Sequence, residues 1–235
     1  MVKARVGVLL SGRGSNFLAL AHACRRGEVP ADIVLVLANR PQAPGLLRAQ
    51  ELGIPAKLVP SRGLSRPNHE AQVLEALREA QVEWVCLAGY MRLLSPEFVA
   101  AFPNRILNIH PALLPAFAGL DAQGQAWEYG VKVTGCTVHL VDAGCDTGPI
   151  VVQKVVEVRE DDTPESLAAR ILEQEHVAYP EALRLLLTRP WRLQGRRVVF
   201  GDETVLDCHF AQPSSGRISR QATGAQSSKG GDPSS

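Results

Sequence analysis

The chain has 235 residues, 46% hydrophobic and 21% charged, enough for one large domain or two small ones with a real core. Its 25 Lys and Arg against 24 Asp and Glu leave a net charge of +1, so no global field draws it to nucleic acid or an anionic membrane. No run approaches the ~18 apolar residues of a membrane span, and the N-terminus enters a strand pattern without a small-residue cleavage site. The five cysteines are scattered and form no Cys-x-x-Cys, which argues against a disulfide framework and a zinc site and suits a reducing cytosol.

Val2 to Leu10 follows a basic opening with the apolar run of a strand buried on both faces. Ser11-Gly-Arg-Gly-Ser-Asn16 then turns into a helix from Phe17 to Arg26, stopped by Gly27. Asp32 to Ala38 predicts a second strand, Gly45 to Leu52 a helix closed by Gly53, and Ala56 to Val59 a third strand. Asn68 to Ala80 reads as an amphipathic helix with Val73, Leu74 and Leu77 inward, and Trp84 to Ala88 as a fourth strand. Ser95-Pro96-Glu97 is a helix start with proline at the first helical position. Arg105 to His110 is the fifth strand, ended by Pro111. After a loop and a helix around Ala122 to Glu128, Val131 to Val141 and Pro149 to Val158 suit an antiparallel pair. Thr163-Pro164-Glu165 opens a long helix that Pro180 should kink or split before Leu187. Arg196 to Phe200 and Glu203 to Asp207 flank Gly201-Asp202, a hairpin signal of type II′ character.

Strands alternating with helices predict an α/β fold: a doubly wound, mostly parallel sheet with helices on both faces and an antiparallel C-terminal strand pair. The expected organisation is a catalytic domain over residues 1–193, a hairpin extension over 194–210 and a disordered tail over 211–235, where one large apolar residue, Ile218, cannot offset the ordering entropy. Ligands of such sheets gather at the carboxyl ends of the strands. That places the 11–16 loop, the loop after Ala88 and the end of the fifth strand on one rim.

Four constellations could carry chemistry. In Gly12-x-Gly14-Ser15-Asn16, glycines let the backbone approach an anion while helix-start N–H groups point at it. Phe17 breaks the dinucleotide fingerprint and no Gly-Lys-Ser/Thr follows, so a phosphate monoester suits the turn better than a dinucleotide or a nucleoside triphosphate. Asn108 and His110, two apart on a strand, share a face, where an amide can donate to an oxyanion and an imidazole can carry a proton. An Asn-x-His triplet equally suits a satisfied polar pair at a strand end. Asp146, between Gly144 and Gly148, could orient an imidazole, or be plain turn chemistry like Asp142 in the same loop. Gln174-Glu175-His176 reads first as the solvated face of the long helix, with Glu175 of interest only if a substrate lies against it. His22, His69 and His209 read as surface residues and His139 as a hydrogen-bonded structural one; no pair has metal-ligand spacing, so no metal is expected. No Gly-x-Ser-x-Gly elbow presents a serine nucleophile.

Taken together, Asn108-Ile-His110-Pro-Ala-Leu-Leu-Pro-Ala-Phe, Gly135-Cys-Thr-Val-His139 and Asp146-Thr-Gly-Pro-Ile resemble the folate-dependent formyltransferase family. Leu10-Ser-Gly-Arg-Gly-Ser-Asn16 and Gln174-Glu-His-Val-Ala-Tyr-Pro180 narrow the resemblance to its branch acting on glycinamide ribonucleotide, over residues 4–193. The resemblance implies formyl transfer from 10-formyltetrahydrofolate as cosubstrate to the amine of glycinamide ribonucleotide, without a metal, in a cytoplasmic monomer or homodimer. By the same resemblance Asn108, His110 and Asp146 would be catalytic, and Gly14, Ser15, Asn16 and Glu175 would hold the ribonucleotide. Folate would meet Met91, Arg92, Leu93 and Leu94, Asn108, and Asp142, Ala143, Gly144, Cys145 and Asp146, with Arg66 as a further contact.

The chain departs from the family's pattern at Ala112, often Ser, at Ala118, often Pro, and over 121–124, often richer in His and Arg. These departures bear on the loop expected over the substrate. Formyltetrahydrofolate deformylase, a hydrolase with the same Asn-x-His-Asp set, is the competing enzyme; its usual N-terminal regulatory domain has no counterpart before the first strand, and the phosphate loop favours the transferase. Methionyl-tRNA formyltransferase would need a basic C-terminal RNA-binding domain, for which 194–235 is too short and too neutral. A non-catalytic folate-binding module would not need both a proton carrier and its carboxylate.

Overall fold

The structure, a computed structural model, describes residues 2–201. In chain order the elements are β1 (Ala4–Leu10), α1 (Ser15–Arg25), β2 (Ala31–Ala38), α2 (Pro44–Glu51), β3 (Ala56–Leu58), α3 (Arg66–Glu79), β4 (Trp84–Leu87) and α4 (Pro96–Ala101). They continue as β5 (Ile106–His110), α5 (Ala122–Tyr129), β6 (Val133–Leu140), β7 (Ile150–Glu157), α6 (Pro164–Thr188), β8 (Trp191–Gln194) and β9 (Arg197–Phe200).

All nine strands form one sheet in the order β3-β2-β1-β4-β5-β6-β7-β9-β8. The first five run parallel, β6 and β7 are antiparallel additions, and β9 lies parallel to β7. Alternation along each strand feeds two cores. Val8 and Leu10 of β1 join Phe17 and Leu20 of α1 and Ile171 and Tyr179 of α6 on one face. Leu9 joins Val73 and Leu77 of α3 and Phe98 of α4 on the other. The doubly wound, mostly parallel sheet with its antiparallel pair is therefore as expected.

Local chemistry fixes where the helices start. The Ser65, Ser95 and Thr163 side chains cap α3, α4 and α6, each with proline in the first turn, and Thr163 and Ser166 form a reciprocal capping box. Among the described residues no helix is long and apolar enough to cross a membrane.

Two expectations need correction, and one strand pairing is new. The long helix is not split at Pro180: α6 runs from Pro164 to Thr188 with the proline inside it. Ile171 and Tyr179 before the proline and Leu183 and Leu186 after it are all buried, so packing holds both halves against the bond that proline removes. Strand 197–200 pairs with Trp191–Gln194 across a two-residue turn at Gly195-Arg196, where Gly195 supplies the positive φ of 58° that a short hairpin needs. Its expected partner 203–207, and the tail from 211, lie outside the described residues. His69 is not on the surface: it is fully buried, and one ring nitrogen lies 3.0 Å from the Val59 carbonyl oxygen.

Candidate active site

The strand order reverses between β1 and β4, since β2 leaves to one side of β1 and β5 to the other side of β4. A crevice opens at such a switch point, at the carboxyl ends of the strands. Ser11 to Asn16 follows β1 there, Ala88 to Leu94 follows β4, and β5 ends beside them at His110.

Gly14 caps α1 in the left-handed region, at φ 74° and ψ 27°, where a Cβ would be strained and would come 3.0 Å from the Gly45 Cα. The first intrahelical bond runs from the Leu18 N–H to the Gly14 carbonyl, so the N–H groups of Ser15, Asn16 and Phe17 precede the helical ladder. The 12–16 loop lines a cavity of about 570 Å³ together with Gly89, Met91, Ile109, Pro111, Gln123 and Glu175. Glu175 is 6% exposed, which overturns its reading as part of a solvated face. The Asn16 Nδ2 donates to its Oε2 at 2.6 Å. Burial pushes the Glu175 carboxyl above its usual value, and the Asn16 bond only partly opposes that.

Asn108 and His110 project from β5 toward the loop after β6. His110 is 3% exposed, its Nδ1 lies 3.3 Å from Asp146 Oδ2, and its Nε2 lies 2.8 Å from the Phe117 carbonyl oxygen. Both ring nitrogens thus face oxygen acceptors, an arrangement that gives each N–H of an imidazolium a partner. The Asn108 Nδ2 donates to Asp146 Oδ1 at 3.2 Å; His139 Nε2 lies 3.1 Å from that Nδ2 and 3.6 Å from Asp146 Oδ1, and His139 Nδ1 lies 2.9 Å from the Leu140 carbonyl oxygen. The Gly119 N–H donates to Asp146 Oδ2 at 2.9 Å. Burial raises the Asp146 carboxyl's pKa, but the neighbouring His139, the Gly119 N–H and the charge of His110 outweigh it and hold it at about 2. Asp146 and Phe117 both sit at positive φ, 53° and 52°, so the backbone is strained where it presents the carboxylate and the carbonyl.

The expected residues separate into groups. Asn108, His110 and Asp146 meet in one cluster, while Gly14, Ser15, Asn16 and Glu175 line the adjoining cavity. Of the 91–94 loop, Met91 and Leu93 are exposed, Arg92 is half-buried and Leu94 is buried. Arg66 reaches that loop, donating through Nη2 to the Leu93 carbonyl at 2.6 Å. Asp142 does turn work, accepting from the Gly144 N–H at 3.0 Å and the Thr147 hydroxyl at 2.6 Å. Ala143, Gly144 and Cys145 are exposed beside it. His139, read from sequence as merely structural, belongs to the cluster. The signal for it is cross-strand register, because antiparallel pairing sets His139 opposite Asn108. The departures lie close by: Ala112 is buried with its carbonyl bonded to Thr137, Ala118 is exposed, and Gln123 lines the cavity.

A mostly parallel sheet thus carries a helix-start turn with N–H groups ahead of the helical ladder, next to an amide, an imidazole and a carboxylate at the strand ends. Residues 4–183 match the formyl transferase family model, and the chain belongs to that family. It is 43% identical over 184 residues to the phosphoribosylglycinamide formyltransferase of Bacillus subtilis (strain 168), covering 78% of this chain and 94% of that one. It is 47% identical over 186 residues to the trifunctional purine biosynthetic protein adenosine-3 of Drosophila melanogaster, where the match covers 78% of this chain but only 14% of that protein. Among solved structures, glycinamide ribonucleotide transformylase 1 from Symbiobacterium toebii superposes with a TM-score of 0.83 at 50% identity, over 85% of this chain and 95% of that one.

Proposed function

We propose that the chain transfers the formyl group of 10-formyltetrahydrofolate to the primary amine of glycinamide ribonucleotide. The products are N-formylglycinamide ribonucleotide and tetrahydrofolate, a step of de novo purine biosynthesis. One observation carries the reading beyond the family: the cavity lined by the 12–16 loop is also lined by Ile109 and Pro111, the chain neighbours of His110 in the Asn108–His110–Asp146 cluster. A phosphate seated at the start of α1 leaves the rest of a ribonucleotide to run past Glu175 toward Ile109 and Pro111, which flank His110. A hydrolase acting on the folate alone has no use for that anion cradle.

The chemistry follows from the geometry. The amine attacks the formyl carbon and the carbonyl oxygen becomes an oxyanion. His110 Nε2, now bonded to the Phe117 carbonyl oxygen, faces an oxygen acceptor in the position the formyl oxygen would take over. One amide proton of Asn108 is committed to Asp146, and the other is the one Asn108 offers to the oxyanion. Asp146 holds the imidazole through Nδ1, and the proton lost by the attacking amine passes to the folate nitrogen as the formyl carbon–folate nitrogen bond breaks. Holding both substrates removes much of the entropic barrier, and the route needs no covalent enzyme intermediate. The folate lies between the 91–94 and 142–146 loops, which offer mainly backbone groups.

Following tetrahydrofolate formation with and without glycinamide ribonucleotide tests the proposal. Release only when the ribonucleotide is present supports the transferase. Equal release in its absence overturns it in favour of a deformylase, and no release in either case in favour of a binding module.

A further inference from the structure

The loop that follows β4 is strapped at both ends. At its far end Arg66 donates to the Leu93 carbonyl, and Glu70 Oε1 accepts from the Ser95 N–H at 3.0 Å. At its near end the Met91 N–H donates to Ser11 Oγ at 2.9 Å, and the Ser11 hydroxyl in turn donates to Asn39 Oδ1 at 2.6 Å. The Asn39 amide is itself held, donating to Ser61 Oγ at 3.3 Å. Ser11 and Asn39 are 4% and 5% exposed, so the bond between them is shielded from competing water, while the bonds to Met91 and Ser61 are partly buried.

Each member has a distinct task. A serine hydroxyl has one proton; spending it on Asn39 leaves an oxygen lone pair facing the Met91 N–H. Asn39 can accept that proton only because Ser61 fixes its amide with the oxygen toward Ser11. The Ser11 N–H also donates to the Gly89 carbonyl at 3.1 Å, so backbone and side chain of one residue grip both ends of the Gly89–Met91 turn. Ser11 sits at the end of β1, one residue before the anion loop begins, and at the point where the strand order reverses.

We propose that Ser11 and Asn39 form a positioning relay that fixes the Met91 peptide and so presets the 91–94 backbone for the folate cosubstrate. This rests on the reading that the 91–94 loop meets folate, and it adds that folate affinity is set by two buried residues the ligand does not touch. The Arg66 and Glu70 anchors are independent of the relay. Breaking the relay therefore loosens the Met91 end and leaves the Leu93–Ser95 end in place.

The test is calorimetric binding of 10-formyltetrahydrofolate to the full chain carrying Ser11→Ala, Asn39→Ala or both, with steady-state kinetics alongside. The expected result is a Kd raised about tenfold, or ~1.4 kcal/mol, in each single variant. The double variant should be no weaker than about twice either one, because both substitutions break the same chain. The KM for folate should rise in step while kcat and the KM for glycinamide ribonucleotide stay within about twofold. A folate Kd within twofold of wild type in a folded single variant overturns the relay, as does an equal rise in both KM values or full additivity in the double variant. If Ser11→Ala does not fold, Asn39→Ala alone decides by the same thresholds. Because binding is read without turnover, a wild-type chain that binds folate but transfers no formyl group refutes the activity while leaving the relay measurable.

Discussion

Replacing Asp146 with asparagine keeps the shape of the side chain and removes its charge. In the structure that carboxylate lies 3.3 Å from His110 Nδ1 and accepts from the Gly119 N–H and from Asn108. At an effective dielectric constant of ~20, unit charges at this distance attract by roughly 5 kcal/mol, much of it offset by desolvation. General acid–base assistance is worth about 10²–10⁴-fold, or roughly 3–5 kcal/mol, which lies within that limit. The expected outcome is a kcat lower by about 10³-fold in Asp146→Asn, with the folate Kd changed by less than about fivefold. Stopped-flow measurement of tetrahydrofolate formation, paired with calorimetric folate binding, checks both numbers. A kcat within fivefold of wild type, or a loss confined to KM, refutes the role given to the carboxylate.

Other consequences follow from the same contacts. His139→Ala removes the imidazole that lies against both the Asn108 amide and the Asp146 carboxylate, and kcat should fall by about tenfold or more, measured under saturating substrates. Glu175→Gln should raise the KM for glycinamide ribonucleotide about tenfold. Because burial raises the Glu175 carboxyl, its contribution to stability is present at low pH and lost as pH rises through its folded value. Glu175→Gln should therefore raise Tm relative to wild type more at pH 8 than at pH 5, read by thermal melts at both. Asp146 has the opposite sign. Its folded value of about 2 lies below the ordinary 3.8, so it contributes about 2 kcal/mol above that range, lost as pH falls toward 2. Acid titration by circular dichroism should show Asp146→Asn missing that part of the loss. Tyr179→Phe removes a fully buried hydroxyl 3.0 and 3.1 Å from the Leu87 and Leu107 carbonyl oxygens and should cost about 1–2 kcal/mol in urea denaturation.

What could be read from the sequence was local. Apolar runs mark β1, β2, β4 and β5, the last stopped by Pro111, and Ser-Pro and Thr-Pro pairs mark the starts of α4 and α6. The two-residue spacing of Asn108 and His110 gives their common face. The rest depends on pairing across the chain. His139 enters the cluster only because β6 runs antiparallel to β5 in a register that sets it opposite Asn108, 31 residues away. Glu175 and His69 were misread because charge and polarity outweighed periodicity. Glu175 falls in the i, i+4 row of buried Ile171 and Tyr179, and His69 in that of Val73 and Leu77. The pairing of 197–200 with 191–194 has a weak signature, since Gly195-Arg196 carries less turn composition than Gly201-Asp202.

The central claim is that the Asn108–His110–Asp146 cluster passes a formyl group directly from folate to an amine held by the anion loop. Its most direct test follows isotopically labelled formyl from 10-formyltetrahydrofolate in a single turnover with glycinamide ribonucleotide. The account predicts one equivalent of label in N-formylglycinamide ribonucleotide, one equivalent of tetrahydrofolate, and almost none of either with His110→Ala. Label recovered as free formate, or as a stable adduct on the protein, would contradict it.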